Sequence, residues 1–153
     1  MKRIIILLAS ISSLFMISCD KGDMEVKKLN RGEGIWVIES VQTDQYDSAG
    51  VSVISTLTVN DPGEFVFFQN TTLNGLFDEH LVVVNMNDTS GVITAFPGGV
   101  YYDDNRVKID AGCPYDGVWT VVDNGRRKQE WSIFSTNVNG GLQSKMTMFI
   151  KKK

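Results

Sequence analysis

The chain has 153 residues and 18 acidic side chains against 15 basic ones, a formal net charge of −3. That length suits a single domain burying roughly two thirds of its unfolded surface. The acidic balance argues against nucleic acid and anionic membrane surfaces as partners, since both take a basic patch. One histidine and two cysteines exclude a paired Cys/His metal site, so no metal and no cofactor is expected.

The chain opens with Lys2 and Arg3, and then runs apolar from Ile4 to Ile17 with only Ser10, Ser12 and Ser13 as interruptions. A membrane span needs about 20 apolar residues. A charged start with a shorter apolar core has the layout of an export signal. The run ends in Met16-Ile17-Ser18-Cys19, and Asp20-Lys21-Gly22-Asp23 follows at once.

Met16-Ile17-Ser18-Cys19 resembles the lipobox of bacterial lipoproteins in the form common in Bacteroidetes, with Met16 in place of the usual Leu and Ser18 in place of Gly or Ala. The resemblance implies a signal peptide over residues 1–18, cleavage between Ser18 and Cys19, and acylation of Cys19. It places the protein in the cell envelope, lipid-anchored at the outer membrane, with the periplasmic face and the cell surface both open. Asp20 to Asp23 partly resembles the tag that sends some of these lipoproteins to the surface. Two or more acyl chains hold a protein stably where one does not, at ~0.8 kcal/mol per buried methylene. Without Lys2 and Arg3 the charge becomes −5, from 13 basic and 18 acidic residues. With Cys19 acylated, Cys113 has no partner for a disulfide.

Residues 19–33 read as a lipidated tether with one helical turn around Met24 to Leu29, and residues 34–153 as the folded domain. Gly34 to Val41 is the first predicted strand, followed by a polar stretch from Asp44 to Gly50. Val51, Val53, Leu57 and Val59 alternate with polar residues, the period of a half-buried strand. Asn60-Asp61-Pro62-Gly63 carries turn chemistry, and Glu64 to Gln69 is a Phe-rich strand. A turn at Asn74-Gly75 leads to Glu79–Met86, apolar on both parities and so expected to be covered on both faces. Val92 to Phe96 is a strand ended by Pro97-Gly98-Gly99, and Val100–Tyr102 with Arg106–Asp110 form a hairpin.

In the next hairpin, from Val118 to Phe134, an Asn124-Gly125 two-residue turn would set Trp119 opposite Glu130. A longer loop centred on Gly125 sets Trp119 opposite Trp131 and separates apolar from polar faces. A one-residue slip sends a whole side-chain set to the wrong face, so the longer loop is expected. In Leu142 to Lys151 the residues Leu142, Met146, Met148 and Ile150 share a parity, and Lys151-Lys152-Lys153 reads as a solvated end. About ten short strands with turns every 8–12 residues predict an all-β antiparallel barrel, or alternatively a β-sandwich.

Gly34-Ile35-Trp36 at the start of the first strand resembles the Gly-x-Trp motif of lipocalins. The resemblance implies an up-and-down β-barrel closed at one end by Trp36 under a C-terminal arginine, for which Arg126 and Arg127 are candidates. Asp47-Ser48-Ala49 resembles the Asp-Ser/Thr-apolar acceptor of Bacteroidetes O-glycosylation, which would modify Ser48; an ordinary loop explains the same residues.

Catalytic chemistry is sparse. His80 is the single imidazole and opens an apolar strand, and no Gly-x-Ser-x-Gly elbow accompanies it. Asp103, Asp104, Asp110 and Asp116 sit where aspartate suits turns. Cys113, in Ala111 to Tyr115, reads as a small apolar residue. The expected function is binding of a small lipophilic ligand inside an anchored barrel, not catalysis. The alternative is a structural or interaction module docking an envelope protein or glycan through its loops. The ligand-binding residues and the oligomeric state stay open.

Overall fold

The computed structural model describes residues 28–68, 80–103 and 105–153. Ser18, Cys19, the rest of the leader, most of the tether and the expected turn at Asn74-Gly75 lie outside the described residues. Among the described residues, eight antiparallel strands follow one another: β1 (Ile35–Tyr46), β2 (Val53–Phe68), β3 (His80–Asn87), β4 (Ile93–Asp103), β5 (Arg106–Asp110), β6 (Gly117–Asn124), β7 (Lys128–Thr136) and β8 (Leu142–Lys152). Each pairs with its successor, and β8 returns to β1. This is a closed up-and-down barrel. The β1–β8 ladder, from Trp36↔Lys152 to Gln45↔Ser144, rules out the sandwich. Because this closure lies entirely within residues 35–152, the chain from Asp20 onward holds the whole barrel.

Eight strands replace the predicted ten because two turn signals lie inside strands. At Asn60 to Gly63 the chain does adopt turn-like angles, with Asp61 at φ 49° and Gly63 at φ 148°. It nevertheless continues as one strand, and the register against β1 shifts between Ile38 and Ser40. The extra residue is absorbed as a bulge, which bends a strand without reversing it. Gly63 is required there, since a Cβ would collide with the Asn85 carbonyl oxygen of β3. At Pro97 to Gly99 the strand β4 likewise runs on. β5 pairs with it only from Gly99 onward, so Pro97 lies where β4 is an edge, a position that tolerates proline.

The inward positions follow the alternation. Ile38, Phe65, Val82, Val100, Trp119, Trp131 and Met148 are all essentially inaccessible. Phe65 stacks on Trp131 with ring centroids 5.7 Å apart. A buried indole removes about 150–250 Å² from water, worth roughly 4–6 kcal/mol as an upper bound at ~25 cal/mol per Å². Each indole N–H is also satisfied. Trp36 donates to the Leu29 carbonyl at 3.0 Å, Trp119 to the Tyr115 carbonyl at 2.8 Å, and Trp131 to Gln129 Oε1 at 2.7 Å.

Three expectations need correction. First, β3 is covered on one face only: Val82 and Val84 are buried, but Leu81 points outward and is 48% exposed. Second, β2 forms as the alternation predicted, yet all residues from Val51 to Asn60 are exposed. β3 pairs with β2 only from Gly63 to Phe68, so the earlier arm stands clear of the wall, with β1 as its partner. Third, Trp119 and Trp131 share the interior, but not as direct partners. Val121 faces Trp131 and Thr120 faces Ser132, and a bulge between Val121 and Asp123 puts Asn124 opposite Gln129. The loop is thus longer than the Asn-Gly turn, as face separation required; the bulge shifts the register by one residue, and above it the pairing stands two residues from the expected Trp119–Trp131 match.

The packed unit also begins upstream of Gly34. Lys28 and Leu29 are helical, and Leu29 is fully buried. Gly34 has φ +68°, and a Cβ on it would collide with the Phe67 carbonyl oxygen, while its own carbonyl accepts from Phe67 N at 2.9 Å. Gly34→Ala is therefore expected to lower stability by at least about 1 kcal/mol. Urea unfolding should show the midpoint falling at unchanged slope; an unchanged midpoint would contradict this reading of the N-terminal seal.

Candidate functional site

The two ends of the barrel differ in kind. At one end the chain enters through Leu29 and Gly34, and the β6–β7 loop and the end of β8 meet it. Trp36 is the plug. Its indole bonds to Leu29, and the Lys152 ammonium lies 5.8 Å from its ring centroid. A cation over an indole face is attracted by the ring quadrupole. The cation expected here was Arg126 or Arg127, but Lys152 takes the place. It is held below the usual lysine range by burial and then by the charge of Arg31. The β8 parity pointed to it: Met148 and Ile150 face inward, and two further residues lead to Lys152. The Lys151 to Lys153 run is thus not a wholly solvated end.

Around this plug the described residues form a cleft of about 760 Å³ lined by eight cationic side chains, from Lys28 and Arg31, residues 126–128 and residues 151–153. Glu39 pairs with Lys128 at 3.5 Å and Lys151 at 4.0 Å, and Glu64 with Lys153 at 3.4 Å. The overall negative charge gave no hint of this concentration.

The opposite end is the mouth. Register fixes which residues face inward there, because directly paired residues share a face. Val41 is buried, and it pairs with Val59 and Met148; Thr43 pairs with Leu57 and Met146. Leu57 and Val59 therefore sit on the inner face, yet they are 65% and 45% exposed. Met86, Phe96, Ile133 and Met146 are partly open and pack against the core. Phe65 and Trp131 stack below them, and Trp119, bonded to the Tyr115 carbonyl of the β5–β6 loop, fills the core beside them. Alternation marked these positions as apolar, but it could not tell a flared mouth from a packed core.

Aspartates around the mouth are engaged by nearby hydrogen-bond donors. Asp47 accepts from Val51 N at 2.9 Å, and Asp88 from Ser90 Oγ at 2.7 Å and Val92 N at 2.8 Å. Asp44 accepts from Thr56 Oγ1 at 2.7 Å. These bonds hold all three carboxyls below the usual range, led by Thr56 for Asp44, Val51 for Asp47 and Ser90 for Asp88. Ser48 is exposed in the β1–β2 turn.

Cys113 is buried in the β5–β6 loop, and burial pushes its thiol up to about 11. Its Sγ donates to Asp116 Oδ1 at 3.4 Å. A neutral thiol held by a carboxylate is not an activated nucleophile. Asp116 also accepts from the backbone N–H groups of Ala111, Gly112 and Cys113 at 3.0, 2.7 and 3.3 Å. Burial pulls its pKa upward, but these bonds outweigh it and leave it lowered.

The candidate catalytic residues are not brought together. His80 is buried against Tyr102, ring centroids 5.7 Å apart. Asp110 pairs with Lys108 on the outside at 3.5 Å, and Asp116 is engaged in its loop. Asp104 and the Asp103 side chain lie outside the described residues. Among the described residues no three His, Cys, Asp or Glu side chains cluster as metal ligands.

Replacing Asp116 with Asn should cost about 1–2 kcal/mol at neutral pH, because charge-assisted bonds to backbone donors weaken. A carboxyl lowered in the folded state stabilises above its unfolded value of about 3.9. That stabilisation is lost as pH falls through the lowered folded value, so the gap between wild type and Asp116→Asn should close toward acid pH. A gap that stayed constant in urea unfolding from neutral to acid pH would contradict this role.

Comparison with protein-family models and with curated proteins found no match. Among solved structures the chain is similar to lobster apocrustacyanin A1, with a TM-score of 0.49 and 10% identity, over 88% of this chain and 70% of that one. The barrel assignment itself rests on the strand pairing described above.

Proposed function

We propose that this chain is an acyl-anchored envelope protein whose barrel mouth binds a small lipophilic molecule without chemistry. The lipobox resemblance at Met16 to Cys19 supports the anchor. The observation that carries the binding reading is the placement of Leu57 and Val59, inward-facing by register but 65% and 45% exposed above an aromatic floor. Apolar side chains held open on the inside of a barrel offer surface that a ligand would remove from water. Because the core is filled by the three indoles, such a ligand sits at the mouth and not deep in the core.

Two measurements test this. Titration with fatty acids of increasing chain length, retinoids and haem should change the tryptophan fluorescence, and Leu57→Glu should weaken the best ligand by about tenfold or more, ~1.4 kcal/mol, with the unfolding midpoint unmoved. Silence across the panel would refute the ligand. Cys19→Ala should release the protein from membranes on carbonate washing; retention would refute the anchor.

A second reading, docking of an envelope protein, draws on the β2 arm. Among the described residues no strand pairs with the outer edge of residues 53–60, where Val53 and Ile54 are 49% and 67% exposed. An open strand edge can accept another strand. In that case Ile54→Lys should abolish association with a partner while the lipid titration stays silent.

A further inference from the structure

The basic cleft at the sealed end is not used by the mouth, and its position gives it a partner. Once the first 18 residues are set aside, 13 cations remain in the chain, and eight of them line this one cleft. Elsewhere among the described residues stand Arg106, Lys108 and Lys145. The mouth carries the opposite sign through Asp44, Asp47, Asp88 and Asp116, whose carboxyls their hydrogen bonds keep ionised. The basic side chains are therefore concentrated at the sealed end, where they outnumber the neighbouring Glu33, Glu39, Glu64, Asp123 and Glu130, although the chain's sum is negative.

We propose that the cleft around Arg31, Arg126 and Arg127 is a docking surface for anionic lipid headgroups, which seats the sealed end on the membrane and points the mouth away from it. The proposal rests on the anchored reading above for its orientation. Several observations select a lipid surface. Lys28, which lines the cleft, is nine residues from Cys19 in the sequence. Nine residues reach at most about 30 Å, so an acylated Cys19 keeps this end within that distance of the headgroups. Screened attraction acts within about 8–10 Å at physiological salt, a range this tether allows.

The side chains suit phosphate. Glu39 and Glu64 already engage Lys128, Lys151 and Lys153, and Lys152 is turned over Trp36. No ion pair among the described residues engages Arg31, Arg126 or Arg127, and the last two are exposed in the β6–β7 loop. Guanidinium groups bind phosphate oxygens in pairs of parallel hydrogen bonds. An acyl chain with a basic patch is also the two-signal arrangement that gives stable membrane residence.

The test uses the unacylated chain from Asp20 onward, which holds the whole barrel, so that no lipid anchor contributes. It should co-sediment with phosphatidylcholine vesicles containing phosphatidylglycerol and not with phosphatidylcholine alone, and binding should weaken as salt rises. The double substitution Arg126→Glu and Arg127→Glu should lower the partition at least about tenfold, while circular dichroism and the unfolding midpoint stay as in wild type. Should that pair prove unstable, Arg126→Gln alone should give a smaller loss in the same direction. Equal binding to both vesicle types, no binding to either, or preferential retention on a single-stranded oligonucleotide of matched charge would overturn the proposal. A failure here leaves the carbonate-wash result on Cys19 untouched, so the two readings fall separately.

Discussion

Trp36 under Lys152 is the contact on which the rest of the barrel depends. An up-and-down barrel has two open ends, and an open end floods the interior unless something covers it. Here the indole fills the opening, Leu29 packs onto it, and the Lys152 ammonium lies over the ring. The seal joins both ends of the domain, since Trp36 is the second residue of β1 and Lys152 ends β8, and the two are direct partners in the closing ladder. Gly34 makes the approach geometrically permissible by letting the chain pass the Phe67 carbonyl with a positive φ. One contact thus fixes closure of the sheet, entry of the chain and exclusion of water.

From that seal the interior fills upward in aromatic layers. Burying three indoles would be costly if their N–H groups lost water without replacement. Each has found a different acceptor: a carbonyl of the N-terminal turn, a carbonyl of the β5–β6 loop, and the Gln129 amide. Gln129 is itself buried and donates to Asn124 Oδ1 at 3.1 Å. The lower barrel is therefore a solid core and the mouth is the part left open. A wide loop-borne opening over a rigid floor can vary its lining without disturbing closure.

Much of this was legible in the residues. Alternation identified the strands, and face separation put Trp119 and Trp131 on one side of the sheet. What escaped was set by tertiary partners. Asn60 to Gly63 has the dihedral chemistry of a turn and adopts it, but neighbouring ladders on β1 and β3 hold the strand straight through, so the same residues make a bulge. Pro97 escaped in the same way, because tolerance of proline depends on which strand lies alongside. Lys152 was missed for a different reason: a terminal run of lysines looks solvated, and only the inward parity of Met148 and Ile150 assigns its middle member to the Trp36 ring. The exposure of Leu57 and Val59 had no local signal, since it arises where β3 stops short of β2. Net charge concealed the basic pole because a sum carries no position.

The poles give the protein a direction. A sealed cationic end lies beside the tether, and an acidic-rimmed apolar mouth lies opposite, an arrangement that would present the mouth to the surrounding compartment and the seal to the membrane. The most direct measurement is label depth on the acylated protein bound to vesicles with nitroxide-bearing headgroups. A fluorophore at Glu33→Cys, on the sealed end, should be strongly quenched, and one at Asn139→Cys, in the β7–β8 turn of the mouth, should not. The reverse pattern, or equal quenching at both positions, would contradict it.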